Sequence, residues 1–189
     1  MAMRSSEWLV PKERVGDAVV LAPPTFDELY TRYFNLVWRL VRRFGVQPSL
    51  VEDAAQDTFI VVHRRLGSLR PDASAKAFVV AIALRVAHDY RRTARRKGAT
   101  SVEETELAAL DGSPYDMVLR AQCGQLVTTF LASLSAEHRA VFVLAELEEM
   151  TAPEISELLS VNLSTVYTRL RSARLRFVSF LDAQEGRRG

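Results

Sequence analysis

The chain has 189 residues, of which 48% are hydrophobic and 25% are charged, and its formal net charge is +2. These ordinary globular values exclude an intrinsically disordered chain. The longest apolar run near the middle, residues 78–84, is far shorter than the roughly 20 residues that cross a bilayer. The first 25 residues do not read as a secretory signal. We therefore expect a cytoplasmic protein, and a lone Cys123 fits that compartment.

The charge is distributed unevenly along the chain. Residues 1–25 carry three basic and three acidic groups, whereas residues 26–98 carry fourteen basic and seven acidic groups. Residues 99–116 contain five acids and no Lys or Arg, and residues 117–189 balance eight against eight. A basic block of this kind suggests a polyanionic partner.

Helical periodicity dominates the sequence, so we predict an all-α protein. The first helix is expected over residues 25–44, where an apolar stripe runs to Gly45. The second is expected to begin with a capping box from Ser49 to Glu52 and to end near Leu66. The third is expected over residues 74–96, and its far end carries cations with few compensating acids.

A second helical domain is expected after an extended acidic linker without helical periodicity. Helices are predicted from Ser113 to about Ser133, and again from Ser135. A capping box from Thr151 to Glu154 then opens a short helix, which breaks at residues 160–162 before a further helix begins. Two short helices around a tight turn are typical of a helix-turn-helix, although a purely structural helical hairpin shows similar spacing.

The last helix carries side chains that suit phosphates and base edges in a DNA major groove. These candidate DNA-binding residues are Ser164, Thr165, Thr168, Arg169, Arg171, Ser172 and Arg174.

Two segments resemble bacterial sigma factors of the extracytoplasmic-function group. Residues 52–59, EDAAQDTF, are similar to the EDxxQ[ED]xF segment of that group, and residues 134–175 are similar to its region four. The resemblance covers roughly residues 26–181. It implies the following organisation: an N-terminal extension (1–25), region two (26–98), the acidic linker (99–116), region four with the helix-turn-helix (117–183) and a tail (184–189).

The resemblance implies a sigma factor that binds core RNA polymerase, recognises promoters, opens the −10 element and starts transcription. The implied partners are promoter DNA and the clamp and flap of the polymerase, and an anti-sigma protein is a common partner in this family. The polymerase-binding residues would be Asp53, Gln56, Asp57 and Phe59. The −10 contacts would be Arg85, Arg91, Arg92, Arg95 and Arg96, and the helix-turn-helix residues above would read the −35 element.

Three positions depart from the family pattern. Phe78 replaces a usual tryptophan, Arg85 replaces a frequent asparagine near the −10 contact, and Glu149 replaces a common glycine before the helix-turn-helix. We therefore expect an unusual −10 preference.

Catalysis is not expected, because His63, His88 and His138 are scattered and the sequence lacks a phosphate-cradling loop or a nucleophile elbow. No metal or cofactor is expected either. The main alternative is a stand-alone helix-turn-helix regulator, which would bind duplex DNA as a dimer without polymerase. A helical protein-interaction module is a third reading, and it predicts no salt-sensitive DNA affinity.

Overall fold

The structure is a computed structural model that describes residues 14–15, 18–19, 24–69, 74–96 and 114–186. Strands β1 (Arg14–Val15) and β2 (Ala18–Val19) form a two-residue antiparallel pair. Everything else of regular structure in these ranges is helical, which confirms the predicted all-α fold. None of the described helices is long and apolar enough to cross a membrane.

Three helices, α1 (Phe26–Arg43), α2 (Val51–Arg65) and α3 (Ala75–Arg96), pack against one another as the first helical unit. Their inward faces carry branched aliphatic side chains together with small alanines, such as Ala54 and Ala83, which are fully buried. Small side chains allow two helices to approach closely, so the apolar stripes predicted from the sequence meet in one core.

The ends of the first two helices differ in how they are capped. Thr25 and Glu28 form a capping box at the start of α1, since the Thr25 N–H donates to Glu28 Oε2 at 2.8 Å. The predicted box from Ser49 to Glu52 is wrong. Pro48 starts a 3₁₀ turn that includes Ser49, and Leu50 is the N-cap of α2 without a side-chain hydrogen bond. Ser49 therefore lacks the extended position from which a hydroxyl can cap a helix.

Four helices form the second helical unit: α4 (Pro114–Ser133), α5 (Ala136–Phe142), α6 (Ala152–Leu159) and α7 (Leu163–Glu185). A π-helical turn, Val143–Leu147, extends α5. At the centre of this unit the Phe130 ring lies 5.1 Å from that of Phe142 and 4.8 Å from that of Phe177. This aromatic packing holds α7 against α4 and α5.

The predicted helix-turn-helix is present in α6 and α7, with its break at the predicted residues. Ser160 ends α6 in the left-handed conformation, with φ of 52°. The Ser156 hydroxyl donates to the Val161 carbonyl oxygen at 2.6 Å, which ties the turn to α6. Ile155 and Val166 are fully buried between the two helices. At the start of α6, the Thr151 N–H donates to Glu154 Oε2 at 2.7 Å, as the predicted capping box requires.

The predicted acidic linker, residues 99–116, falls mostly outside the described residues, which resume at Pro114. Its last three residues, 114–116, belong to α4 instead. The expectation of an extended linker over residues 99–113 therefore stays a prediction.

Candidate nucleic-acid and protein interfaces

An acidic face lies on the outer side of α2. It consists of Asp53, Gln56 and Asp57, which are all exposed. They share one side of the helix because they are spaced three and four residues apart. Asp57 Oδ2 accepts a 2.7 Å hydrogen bond from the Tyr90 hydroxyl on α3. Burial of Tyr90, followed by this bond and the charges of Asp57 and Asp53, raises the pKa of the Tyr90 phenol to about 12.

Phe59 does not share that exposed face, and the expectation that it contacts a partner directly is corrected. Its side chain is only 3% exposed. Its ring packs against those of Phe26, Tyr30 and Phe34 on α1, and the Tyr30 contact is 4.8 Å between centroids. Phe59 sits at a core position of α2, so its apolar ring is buried where the neighbouring acids are not.

Above Phe59 lies an exposed apolar shelf that the sequence analysis missed. It consists of Tyr30 and Phe34 from α1 and Ile60 from α2, with exposures of 37–43%. The signal was present, because residues 26, 30 and 34 repeat at four-residue spacing beside the core stripe of α1. The shelf and the acidic face adjoin on α2, and aromatic groups of this kind are enriched in protein interfaces.

The predicted cations of α3 are exposed, except for Arg91, which is half-buried. Four of them line a cleft of about 340 Å³, and its other wall is formed by residues 136 and 137 of α5. These four are Arg91, Arg92, Arg95 and Arg96. The pKa of Arg91 is lowered by burial and by the charge of Arg95. A cationic surface of this density attracts phosphate groups.

The candidate residues of α7 also lie on more than one side of the helix. Ser164, Thr168 and Arg171 are exposed and follow each other at four- and three-residue spacing. By contrast, three other candidates are half-buried: Thr165, Arg169 and Ser172. Only the first set presents a continuous outer face to a DNA groove.

Arg174 is exposed but engaged within the second unit. Its Nη2 lies 2.7 Å from Glu146 Oε1, and its Nε donates to the same oxygen at 2.8 Å. DNA contact by Arg174 would therefore compete with this ion pair.

Tyr167 and Leu175 are exposed on α7 beside Arg171, and the sequence analysis, which selected only polar groups, missed them. Their exposed fractions are 57% and 61%. With Leu170 and Arg171 they line a shallow and mostly apolar cleft of about 330 Å³. Apolar groups next to an arginine suit the thymine methyl groups that line a major groove.

A helix-turn-helix with an exposed polar face, joined in one chain to a helix with a cationic end, defines a helical DNA-binding protein of two units. Comparison with known families narrows this class. Residues 29–97 match the family described as Sigma-70 region 2, and residues 124–177 match Sigma-70, region 4.

Individual relatives agree with these matches. The ECF RNA polymerase sigma factor SigK of Mycobacterium sp. (strain KMS) is 32% identical over 152 residues, which cover 77% of each chain. SigE of Mycolicibacterium smegmatis is 29% identical over 185 residues, covering 93% of this chain and 72% of SigE. The chain belongs to the sigma-70 family of RNA polymerase sigma factors, in its extracytoplasmic-function group. It is thus a factor that binds RNA polymerase for promoter recognition.

Solved structures show the same fold. The structure of CnrH in complex with the cytosolic domain of CnrY is 26% identical, has a TM-score of 0.60 and covers 84% of this chain and 88% of CnrH. The sigma factor RpoE of Bartonella quintana, solved with the anti-sigma factor NepR, is 17% identical with a TM-score of 0.65 and covers 83% of this chain and 96% of RpoE.

Proposed function

We propose that the surfaces described above divide the work of transcription initiation between the two helical units. The acidic face of α2 docks on the polymerase clamp, the cationic end of α3 binds the −10 element as it opens, and α7 reads the −35 element. The observation that carries this proposal is the presence of an acidic surface on α2 and a cationic surface at the end of α3 in one helical unit, tied together by the Tyr90–Asp57 hydrogen bond. A stand-alone DNA-binding regulator would not need an acidic polymerase-binding surface beside its cationic DNA-binding surface.

Docking on the polymerase rests on Asp53, Gln56 and Asp57, with the apolar shelf beside them. For the sigma factors that this chain resembles, the polymerase clamp offers a basic coiled coil, and opposite charges speed the encounter and fix its register. Burial of Tyr30 and Phe34 against the coiled coil would add the apolar contact that charges alone do not supply. Phe59 acts from beneath by holding these rings in place.

Opening of the −10 element rests on Arg85, Arg91, Arg92, Arg95 and Arg96. Phosphate contacts from this set hold the strand, and release of counterions makes binding favourable at low salt. Arg85, where the family often has asparagine, adds a cation next to the contacted bases. The −10 preference is therefore expected to differ from that of asparagine-bearing relatives.

Reading of the −35 element rests on the outer face of α7. Ser164, Thr168 and Arg171 supply hydrogen-bond donors, and Arg171 has the length for a bidentate contact to a guanine. Thr165, Arg169, Ser172 and Arg174 flank this face and suit phosphate contacts that position the helix.

The expected partners and setting follow from this role. CnrH was solved with the cytosolic domain of CnrY, and RpoE with the anti-sigma factor NepR. By extension we infer an anti-sigma partner for this chain, a cytoplasmic location and a function exerted by binding rather than by catalysis. Contact with the polymerase flap falls to the second unit.

The proposed function is tested by measuring which DNA fragments the protein retains with and without core polymerase. Fragmented genomic DNA is incubated with the protein alone, with core polymerase alone and with both, and the retained fragments are sequenced. Discrete fragments with two shared elements are expected only when both proteins are present. Retention of paired half-sites by the protein alone would favour a stand-alone regulator instead.

A further inference from the structure

The first half of α7 exposes an aromatic side chain that the fold itself does not use. Tyr167 is 57% exposed, whereas its neighbour Val166 is fully buried and Leu170, one turn further along, is 7% exposed. Within the described residues, Tyr167 makes neither a side-chain hydrogen bond nor a ring contact. An aromatic ring gains stability mainly by burial, so this ring is free to be buried by a ligand.

Arg171 lies one helical turn beyond Tyr167 on the same exposed side of α7. Its guanidinium group forms no ion pair with the described part of the chain. Arg174 differs, because Glu146 Oε1 lies 2.8 Å from its Nε and 2.7 Å from its Nη2. A guanidinium group donates hydrogen bonds and accepts none, so Arg171 can pair only with acceptors.

The hydroxyl groups on this side of α7 discriminate less well between bases. The Thr168 hydroxyl donates a 2.9 Å hydrogen bond to the Ser164 carbonyl oxygen in its own helix, so it must exchange this bond before it donates to DNA. A hydroxyl also both donates and accepts, and serine and threonine therefore pair with either kind of base edge. Discrimination between bases falls to Tyr167 and Arg171.

The position of these two residues suits contact with adjacent base pairs. Both lie in the first half of α7 (Leu163–Glu185), and the N-terminal part of a recognition helix contacts the base edges. Side chains one turn apart are separated by about 6 Å along the helix, whereas one base-pair step is about 3.4 Å. Because Tyr167 and Arg171 line the same cleft, their side chains can converge on neighbouring bases.

The two side chains recognise different features of the major groove. Guanine presents its N7 and O6 acceptors, to which an arginine donates two hydrogen bonds. Thymine presents a methyl group at C5, where unmodified cytosine has only a hydrogen. Where a pyrimidine precedes guanine on one strand, its C5 position adjoins the guanine edge. One apolar cleft beside a guanidinium group therefore accommodates both features.

We propose that Tyr167 and Arg171 together read a 5-methylpyrimidine followed by guanine on one strand of the −35 element. Thymine supplies the methyl group in unmodified DNA, and 5-methylcytosine supplies the same group at the same place. Methylation of a cytosine before this guanine thus turns a weak site into a strong one. The inference rests on the proposed function, since it assigns bases to the −35 surface of α7.

The guanine is located first. The polymerase complex selects binding sites from an unmodified, randomised duplex library, and the −35 base pair whose preference is lost in Arg171→Ala marks the guanine. Thymine is expected on its 5′ side in the shared element. A shared element with any other base at that place would overturn the proposal.

Four duplexes that differ only at this step then isolate the methyl group. Thymine is compared with uracil, both opposite adenine, and 5-methylcytosine is compared with cytosine, both opposite guanine. Fluorescence anisotropy gives the Kd of the full-length protein, in complex with core polymerase, for each duplex. Loss of the methyl group should raise the Kd of the wild type about 4-fold in each pair, as expected for one buried methyl group.

Tyr167→Ala should remove this dependence, so that both Kd ratios fall to about 1. Tyr167→Phe keeps the aromatic ring and should keep both ratios. Val178→Ala is the matched control, because Val178 is another apolar side chain of α7, is 55% exposed and lies about three turns beyond Tyr167. It should also keep both ratios. Circular dichroism checks that the exposed substitutions leave the helices intact.

Equal Kd values within both pairs for the wild type would overturn the proposal, as would unchanged ratios in Tyr167→Ala. A loss of affinity in Tyr167→Ala that is uniform over all four duplexes would assign the ring to the polymerase instead. A methyl effect at thymine alone would overturn the reading of 5-methylcytosine.

The same measurement without polymerase separates this inference from the proposed function. If polymerase neither changes the DNA that is selected nor yields transcripts, the proposed function fails. The Kd ratios of the protein alone, on the element that it selects by itself, then still decide whether Tyr167 reads the methyl group.

Discussion

The Tyr90 hydroxyl donates a 2.7 Å hydrogen bond to Asp57 Oδ2. This bond joins α2, which carries the proposed polymerase-binding surface, to α3, which carries the proposed DNA-binding surface. Asp57 belongs to the acidic face of α2, and Tyr90 immediately precedes the cationic end of α3 at Arg91. The bond therefore fixes the proposed polymerase-binding surface relative to the proposed −10 surface.

The first prediction concerns the ionisation of Tyr90. Its folded pKa of about 12 lies above the ordinary value of 10.0. The stabilisation that accompanies this raised pKa is present below pH 10 and is lost as the pH rises from 10 towards 12. The absorbance difference at 295 nm between wild type and Tyr90→Phe should therefore titrate near pH 12. A difference that titrates near pH 10 would show that neither burial nor Asp57 raises the pKa of this phenol.

The second prediction concerns polymerase binding by the acidic face. The double change Asp53→Asn and Asp57→Asn keeps side-chain size and removes two charges that steer the protein to the basic clamp. We expect the association rate with core polymerase to fall about 10-fold at low salt, with a smaller difference at high salt.

Asp182→Asn on α7 provides the control for charge, because Asp182 is exposed in the other helical unit. Its association rate should match that of the wild type. Equal rates for all three proteins, measured by surface plasmon resonance at two salt concentrations, would remove the assigned role of Asp53 and Asp57.

The third prediction concerns base reading by Arg171. Arg171→Ala should weaken binding of the polymerase complex to −35 DNA by about 1 to 3 kcal/mol and relax the preference at one base pair. Arg176 is an exposed arginine about 140° further around α7, so Arg176→Ala should change neither property. Binding to a set of single-base variants of the −35 element provides the measurement. A uniform loss over all variants would make Arg171 a phosphate contact.

The fourth prediction concerns Glu149, which has a φ of 56° in the left-handed region. The left-handed conformation costs a residue with a Cβ about 1 to 2 kcal/mol of stability. Glu149→Gly should therefore stabilise the protein by about 0.5 to 1 kcal/mol relative to Glu149→Ala, which removes the same charge but keeps the strain. Urea denaturation of the two variants gives the comparison, and equal stabilities would contradict it.

Local sequence signals predicted much of the fold. Apolar periodicity defined α1 and α3, and the break at residues 160–162 defined the helix-turn-helix, because each depends on neighbours within one or two turns of helix. The predicted capping by Ser49 was wrong for a local reason, because Ser49 lies in the 3₁₀ turn that begins at Pro48.

The candidate interfaces were less predictable, because exposure depends on neighbours distant in the sequence. Phe59 matched the family motif beside three exposed residues, yet α1 covers its ring. The sequence indicated that Arg174 was available to bind DNA, whereas in the structure it forms an ion pair with Glu146. The contact of Arg139 with Phe44 joins residues 95 positions apart, and no periodicity predicts such a pairing.

Run-off transcription tests the central claim most directly. Purified core polymerase transcribes fragmented genomic DNA with and without this protein, and the start sites of the products are aligned. The account predicts discrete transcripts that require the protein, with two shared elements upstream of their start sites. No protein-dependent transcript from a core enzyme that is active with another sigma factor would contradict it.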